Sequence, residues 1–394
     1  MTEANSWQPL LTGAAADEAR RVVGELAAWI DSLAPSARTG FDGDASSALL
    51  LGERELPSAA KRLESALVTT LEAPATISLF GGITGLSWLL PHLADGEGVE
   101  RAVARYDDVL LRALEVPRWE DHHDLVIGLA GVGVMAAERR DPRARQIAER
   151  VLFHLESTAT MTDTGATWRT EPRYVPEPQR HHYPDGMIDL GVAHGVAGVV
   201  GMLAQYVDAQ IEPVRSRRLL EAATAWLVDM IGGDASRFEM TWPLDIPRLR
   251  RSGWCNGHTG VAAVLLRAGR ALGASNLESR AIDLLRRLAQ PAASDGTIDA
   301  GFCHGAAGIA HVYNAAYQLT GDVELRAAAI RWLEELLRLR SAGGGAGYRY
   351  MRLHDEAPSW SEDATLLSGA VGTALTLAAA CEAREPEWQR LFLI

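Results

Sequence analysis

The stretch Gly301-Phe302-Cys303-His304-Gly305-Ala306-Ala307-Gly308 decides how this chain is interpreted, together with Trp254-Cys255-Asn256-Gly257-His258-Thr259-Gly260. In both stretches a cysteine stands shortly before a G-x-x-G step that opens an apolar run. Two of the three cysteines of the chain therefore hold matching places in two repeats. The alternative is that both are small core hydrophobes. Cys381, inside an Ala-rich run with no neighbouring histidine, is the cysteine that fits that alternative.

The G-x-x-G step is an internal repeat, and a repeat of this length sets the architecture. It occurs at Gly82/Gly85, Gly128/Gly131, Gly195/Gly198, Gly257/Gly260, Gly305/Gly308 and Gly369/Gly372. Each step leads into a run of Ala, Val, Leu and Gly that is apolar all round, which predicts a helix buried on every side. The glycines are predicted to be structural, since they allow positive φ and close helix approach.

Longer amphipathic patterns alternate with the buried runs and predict solvated outer helices. They lie at Val99–Leu114, Arg143–Glu156, Pro213–Met230, Leu277–Leu288 and Val323–Leu339. The buried set is too apolar to line an open concave face, so a closed double ring is favoured over a solenoid. We therefore predict an all-α fold, an α/α toroid of six to seven helical hairpins, formed by residues 1–394 as a single domain.

Three segments lie outside the repeat. Residues 1–75 carry further helical patterns and are expected to complete the ring or to pack on it. Residues 158–189 and 341–365 are long loops that precede G-x-x-G steps, so both are expected to cover the same rim. Their aromatic and arginine content favours peptide binding, with a merely mobile loop as the alternative.

Composition bounds the class of protein. The chain has 394 residues, 47% hydrophobic and 23% charged, and a net charge of -13, which argues against a general nucleic-acid surface. Three cysteines cannot build a disulfide framework, so a reducing compartment is favoured. No apolar run approaches the roughly 18 to 20 residues of a membrane span, and no signal-peptide pattern is visible. A cytoplasmic location is expected.

The matching cysteines predict a metal centre. Cys255, Cys303 and His304 supply three soft ligands, and three protein ligands with one open position is how catalytic zinc is usually held. At the N-terminal ends of inner helices, the helix dipoles favour the thiolate form that binds metal.

Other polar residues stand near the same steps of the repeat. His194 precedes Gly195, and Asp124 stands four residues ahead of Gly128. Arg251 lies four residues ahead of Cys255, and His258 sits inside the fourth step. A histidine near a metal is a natural general acid or base that a carboxylate can orient. Taken alone, each of these residues has a structural interpretation as well.

In combination, these motifs resemble those of the lanthionine synthetase C-like proteins, over residues 78–376. They are W-C-x-G at 254–257, C-H-G at 303–305, A-H-G-x-x-G at 193–198 and D-x-x-x-G-x-x-G at 124–131. The resemblance implies a double ring of seven inner and seven outer helices. It also implies zinc bound by Cys255, Cys303 and His304, and it matches His194, Asp124 and Arg251 to polar active-site positions.

The implied reaction is addition of a precursor-peptide cysteine thiol to dehydroalanine or dehydrobutyrine, giving lanthionine or methyllanthionine rings. His194 is the expected proton-transfer group, with Asp124 positioning it and Arg251 assisting with charge or orientation. The chain departs from the family at Asn256, where members often have tyrosine, and an amide cannot titrate near neutrality. His258 is a conjectural replacement.

The resemblance implies partners, and rival functions remain beside it. A stand-alone cyclase implies a dehydrated precursor peptide as substrate, with a separate dehydratase and an exporter. One alternative is addition of glutathione or another external thiol to dehydrated residues. A second is a non-catalytic peptide-binding scaffold with structural zinc and a fourth ligand such as His258. A glycosidase is a weaker rival, because it needs a pair of carboxylates across a cleft and no such pair stands at the rim motifs, although acidic residues such as Glu362 and Asp363 lie nearby.

Overall fold

The computed structural model of the chain describes residues 7–139, 141–175, 177, 180–232, 241–242, 252–289, 299–341, 343, 345–354 and 357–394. Within these ranges the regular secondary structure is helical apart from three short antiparallel sheets, so the predicted all-α class is confirmed. The α-helices are α1 Gly13–Ser32, α2 Asp44–Glu53, α3 Ala59–Glu72, α4 Ile83–Leu93, α5 Glu97–Leu114, α6 Leu129–Glu138, α7 Pro142–Thr158, α8 Val196–Asp208, α9 Pro213–Ile231, α10 His258–Leu272, α11 Ser275–Leu288, α12 Ala306–Thr320, α13 Val323–Arg338 and α14 Ala370–Cys381.

The strands are two to five residues long and pair locally. They are β1 Thr160–Met161, β2 Ala166–Thr167, β3 Ile188–Asp189, β4 Thr241–Trp242, β5 Tyr350–His354 and β6 Ala357–Ser361. β1 pairs with β2, β3 with β4 and β5 with β6, all antiparallel. Both loops that were expected over the rim therefore contain short sheet structure.

The residues group into two compact units. The first comprises Met1–Pro74, Arg251–Trp254 and Ala289–Gln389, and the second comprises Ala75–Arg250, Cys255–Leu288 and Arg390–Ile394. The sequence-based assignment of the whole chain to one domain stays a prediction.

In the second unit, four buried helices pack side by side and each carries one amphipathic partner. α4 packs on α6, α6 on α8 and α8 on α10, and the partners are α5, α7, α9 and α11. From Leu129 to Ala136, every residue of α6 is buried. The alternation of buried and amphipathic helices predicted from the repeat is therefore observed in this unit.

The first unit repeats the same arrangement. α14 packs on α12 and α2, while α12 pairs with α13, α2 with α3, and α14 with α1. Residues 44–51 of α2 are buried throughout, although this helix has no G-x-x-G step. α2 and α3 thus form a further hairpin of the inner-and-outer type, and α1 is the outer partner of α14. Residues 13–72 thus supply three helices to this arrangement. That residues 1–75 complete the ring or pack on it stays a prediction.

The glycines that precede the inner helices are structural, but the expected positive φ is wrong. Gly128, Gly195 and Gly305 have φ between -105° and -126° and act as N-caps in extended geometry. Glycine is required because a Cβ atom would overlap the backbone of the preceding loop. At Gly195, that atom would lie 2.5 Å from the carbonyl carbon of Asp189. Each loop therefore folds tightly against the start of its own helix.

Among the described residues, the helices fall short of the length and apolarity that crossing a membrane requires.

Candidate active site

His194 and Asp124, predicted as a catalytic pair, are in contact in the second unit. Nδ1 of His194 lies 2.8 Å from Oδ2 of Asp124. Oδ1 of Asp124 accepts a hydrogen bond from the backbone N–H of Ile127 at 2.8 Å. Asp124 is buried, whereas the side chain of His194 is 53% exposed. The carboxylate is therefore held rigidly below an imidazole whose other nitrogen is directed away from it.

This contact changes the proton affinity of both groups. Burial lowers the pKa of His194, but the hydrogen bond and charge of Asp124 outweigh it and raise that pKa to about 9. Burial raises the pKa of Asp124, yet the hydrogen bonds from His194 and Ile127 bring it below its usual value. At neutral pH the pair consists of an imidazolium ion and a carboxylate. His194 is thus charged and able to give up a proton.

The loop that carries Cys255 is tied to the loop that carries His194. The Cys255 carbonyl accepts hydrogen bonds from the backbone N–H groups of Val192 at 2.8 Å and Ala193 at 2.9 Å. The side chain of Asn256 donates from Nδ2 to Oδ2 of Asp189 at 2.9 Å. Oδ1 of the same carboxylate accepts from the Gly191 N–H. Asn256 is therefore an anchor for its loop, not an acid, which agrees with the chemistry of an amide.

In the first unit, Cys303 and His304 lie in the loop before α12. The N–H of Cys303 donates to the carbonyl of Leu367 at 2.7 Å. Trp254 stacks edge to face on Phe302, with ring centroids 5.9 Å apart. A Cβ atom at Gly253 would lie 2.8 Å from Cα of His304. Residues 253–254, which directly precede Cys255 in the chain, therefore pack closely against residues 302–304.

Two predicted residues have different outcomes. Arg251 lies outside the described residues, so its assisting role stays a prediction. His258 is the first residue of α10 and is 5% exposed. This burial does not support the conjecture that His258 replaces the missing tyrosine as an accessible acid.

Three buried carboxylates support these loops in a role that sequence reasoning did not identify. Asp189, Asp299 and Asp363 each stand six residues ahead of an N-cap glycine, at Gly195, Gly305 and Gly369. In each case Oδ1 accepts a hydrogen bond from the backbone N–H two residues later. The constant spacing of six residues between each aspartate and its N-cap glycine is the feature of the sequence that could have identified them. For Asp363, this structural role weakens the glycosidase alternative.

A cavity of about 500 Å³ lies beside the Asp124 loop, in the second unit. It is lined by Trp119, Trp168, Arg169 and Tyr174 among others. The ring of Tyr174 lies 4.3 Å from that of His122, whose Nδ1 is 3.7 Å from Oδ2 of Asp124. Part of loop 158–189 is thus next to the candidate catalytic pair, and it presents aromatic and cationic groups there.

Comparisons with known proteins identify the family and the fold. A family model described as "Lanthionine synthetase C-like protein" matches residues 45–393. The structure is similar to that of nisin cyclase, with a TM-score of 0.72, 18% sequence identity, and coverage of 95% of this chain and 96% of that one. This likeness shows the fold, so the predicted α/α toroid is confirmed.

The other comparisons add no argument. A sugar epimerase from a ruminal bacterium is similar at a TM-score of 0.46 and 12% identity, over 72% of this chain and 82% of that one. A comparison with curated proteins yields no match.

Proposed function

The chain belongs to the lanthionine synthetase C-like family, and from this premise we propose that it is a zinc-dependent lanthipeptide cyclase. It adds cysteine thiols of a dehydrated precursor peptide to dehydroalanine or dehydrobutyrine residues, so that thioether rings form. The observation that carries the proposal is the contact between His194 and Asp124. The loop that carries His194 also donates two backbone hydrogen bonds to the carbonyl of Cys255. An imidazolium ion placed there supplies the proton that this reaction needs.

The proposed zinc ligands are Cys255, Cys303 and His304. Two thiols and one imidazole are a donor set that zinc prefers, and three such ligands leave one position for a substrate group. The packing of Trp254 on Phe302 supports the assignment, because Cys255 is the next residue after Trp254 and Cys303 is the next after Phe302. Zinc bound by these residues would lower the pKa of a substrate thiol, so that thiolate is present near neutrality.

The protein's own residues then transfer one proton. Addition of the thiolate to the β-carbon of a dehydrated residue forms the carbon–sulfur bond and leaves an enolate. His194 donates a proton to the α-carbon, and Asp124 holds the imidazole in place through its contact with Nδ1. The proton that the substrate thiol released restores the imidazolium ion, so the reaction consumes no net proton. Arg251 is proposed to assist with charge or orientation.

Substrate, partners and location are part of the same proposal. The substrate is a precursor peptide that a separate dehydratase has modified, and an exporter acts on the product. The aromatic and arginine side chains around the 500 Å³ cavity support a peptide substrate. A cytoplasmic location is proposed, in keeping with three cysteines that form no disulfide among the described residues.

Zinc analysis tests the proposal first. Elemental analysis of the purified protein should find about one zinc ion per chain. Cys255→Ala and Cys303→Ala should each lose it while helical circular dichroism persists, and Cys381→Ala is the matched control that retains it. Absence of zinc, or zinc that neither variant disturbs, contradicts the proposed metal site.

A thiol-addition assay tests the reaction. A dehydrated peptide that carries its own cysteine should gain a thioether, detected as loss of a reactive thiol at unchanged mass. Supplying glutathione in competition distinguishes the external-thiol alternative, because that product is heavier by one glutathione. A zinc-loaded protein that yields neither product supports the non-catalytic scaffold.

A further inference from the structure

Asp299 is a buried carboxylate that contacts a proposed zinc ligand. Its side chain is fully buried, and Oδ1 accepts a hydrogen bond from the Gly301 N–H at 2.9 Å. Oδ2 accepts from the Met351 N–H on strand β5 at 2.9 Å and lies 3.8 Å from Nε2 of His304. All of these residues belong to the first unit. The hairpin β5–β6 thus fixes the carboxylate, and the carboxylate faces the imidazole.

Comparison of the three equivalent aspartates separates a shared role from an individual one. Oδ1 has the same structural role in Asp189, Asp299 and Asp363, because it accepts the backbone hydrogen bond that closes the turn at the start of each loop. Oδ2 has a different partner in two of these residues. In Asp189 it accepts a hydrogen bond from Asn256, and in Asp299 it faces His304. The loop after Asp363, residues 364–368, contains neither cysteine nor histidine. Asp363 therefore serves as an internal reference for the shared role, because its loop holds no proposed metal ligand.

We propose that Asp299 is a positioning residue that holds His304 in one orientation and one tautomer. The inference rests on the proposed zinc site. At 3.8 Å the contact is electrostatic rather than a hydrogen bond. A carboxylate at that distance stabilises the N–H form of Nε2, so the neutral imidazole keeps its proton there and Nδ1 is left with the lone pair that binds metal. Asp299 acts through His304 and is assigned no step of the reaction itself.

A purely structural role for Asp299 gives a different expectation. In Asp299→Asn, an amide oxygen can still accept the hydrogen bond from Gly301, so the turn survives. The amide nitrogen cannot accept a hydrogen bond from the Met351 N–H or stabilise an N–H at Nε2. Because Asp299→Asn also loses the hydrogen bond from Met351, a purely structural role predicts that zinc affinity falls only in step with the free energy of unfolding of the metal-free chain. The positioning role predicts a loss of zinc affinity beyond that, which Asp363→Asn does not share.

Zinc affinity of the purified full-length chain tests this difference. Competition with a fluorescent zinc chelator should show Asp299→Asn weakened by about 10- to 100-fold relative to the wild type. Asp363→Asn should stay within about two-fold of the wild type, because Asp363 shares the turn role but its loop holds no proposed zinc ligand. Urea unfolding of the metal-free proteins measures the structural cost of each change separately. Equal zinc affinities in the two variants overturn the positioning role.

The tautomer of His304 provides a test that does not depend on a variant folding. A long-range ¹H–¹⁵N spectrum of the zinc-loaded wild type should show Nε2 protonated and Nδ1 as the metal-bound nitrogen. Coordination through Nε2 contradicts the inference. A wild-type chain that binds no zinc removes the proposed function as well, whereas a chain that binds zinc but shows equal variants removes the positioning role alone.

Discussion

Nδ1 of His194 lies 2.8 Å from Oδ2 of Asp124, although 70 residues separate the two in the chain. The contact joins an exposed imidazole to a buried carboxylate, and the carboxylate is fixed by the Ile127 N–H. His194 is consequently a cation over most of the neutral range, with a pKa of about 9. Its second nitrogen remains available for proton transfer.

The first prediction concerns the pH dependence of cyclisation. A group that acts as an acid is active below its folded pKa, so wild-type kcat/KM should fall only as the pH rises through about 9. Asp124→Asn removes the charge that raises this pKa, which should return towards 6.5. The expected loss of kcat/KM is then roughly 30-fold at pH 8 and less than about two-fold at pH 6. Rate profiles between pH 5 and 10 check this.

Asp121→Asn is the control for that profile. Asp121 lies on the same loop, its side chain is 59% exposed, and it contacts His122 rather than His194. Its variant should keep the wild-type upper limb. If kcat/KM of Asp124→Asn falls at the same pH as that of the wild type, His194 is not the titrating acid.

The second prediction concerns a buried ion pair in the first unit. Arg62 on α3 donates from Nη1 to Asp44 at 3.0 Å and from Nη2 to the Ile30 carbonyl at 3.0 Å, near the end of α1. Both charged side chains are buried, so Arg62→Met leaves Asp44 without its charge partner. The free energy of unfolding in urea should fall by about 3–5 kcal/mol.

An exposed pair serves as the comparison. Arg20 lies 3.2 Å from Asp17, and their side chains are 58% and 79% exposed. Arg20→Met should change the free energy of unfolding by less than about 0.5 kcal/mol. Equal losses in Arg20→Met and Arg62→Met argue against the network of Arg62 as a fixed part of the fold.

The third prediction concerns the glycines before the inner helices. Gly195→Ala places a Cβ atom against the backbone of Asp189, so the loop must shift. We expect a loss of about 1–3 kcal/mol in the free energy of unfolding. Gly24, in the middle of α1, has open space around the same position, and Gly24→Ala should stabilise the protein by about 0.5–1 kcal/mol. Thermal and urea unfolding of both variants measure these opposite signs.

The fourth prediction concerns thiol reactivity. Cys381 is buried, and burial raises the pKa of its thiol, so it should react with an aromatic disulfide reagent only after unfolding. Cys255 and Cys303 are partly exposed and should react in the folded metal-free chain. Added zinc should protect both. Cys381→Ala should leave the fast phase of this reaction intact, and a fast phase that zinc does not slow speaks against these two ligands.

The fold could be predicted from the sequence because buried residues recur in regular patterns along the helices. Helices α6, α8 and α14 were visible as runs that are apolar on all sides, and α5 or α13 as patterns with a charged face. The helix α2 was not assigned to the inner set, because it lacks the G-x-x-G step that marked the others. The glycines before the inner helices do not have the positive φ that was expected, and it is backbone overlap that excludes a side chain there.

What the sequence by itself determined is the repeat of inner and outer helices and the choice of residues with metal-binding or acid–base chemistry. These follow from periodicity and from residue types at fixed places in a repeat. Only the tertiary structure decided that Asp124 meets His194, that Asp189 holds Asn256 and that Asp299 faces His304. The physical reason is that a carboxylate gains its role from the donor that faces it, and that donor is set by how separate loops pack, not by their spacing in the chain.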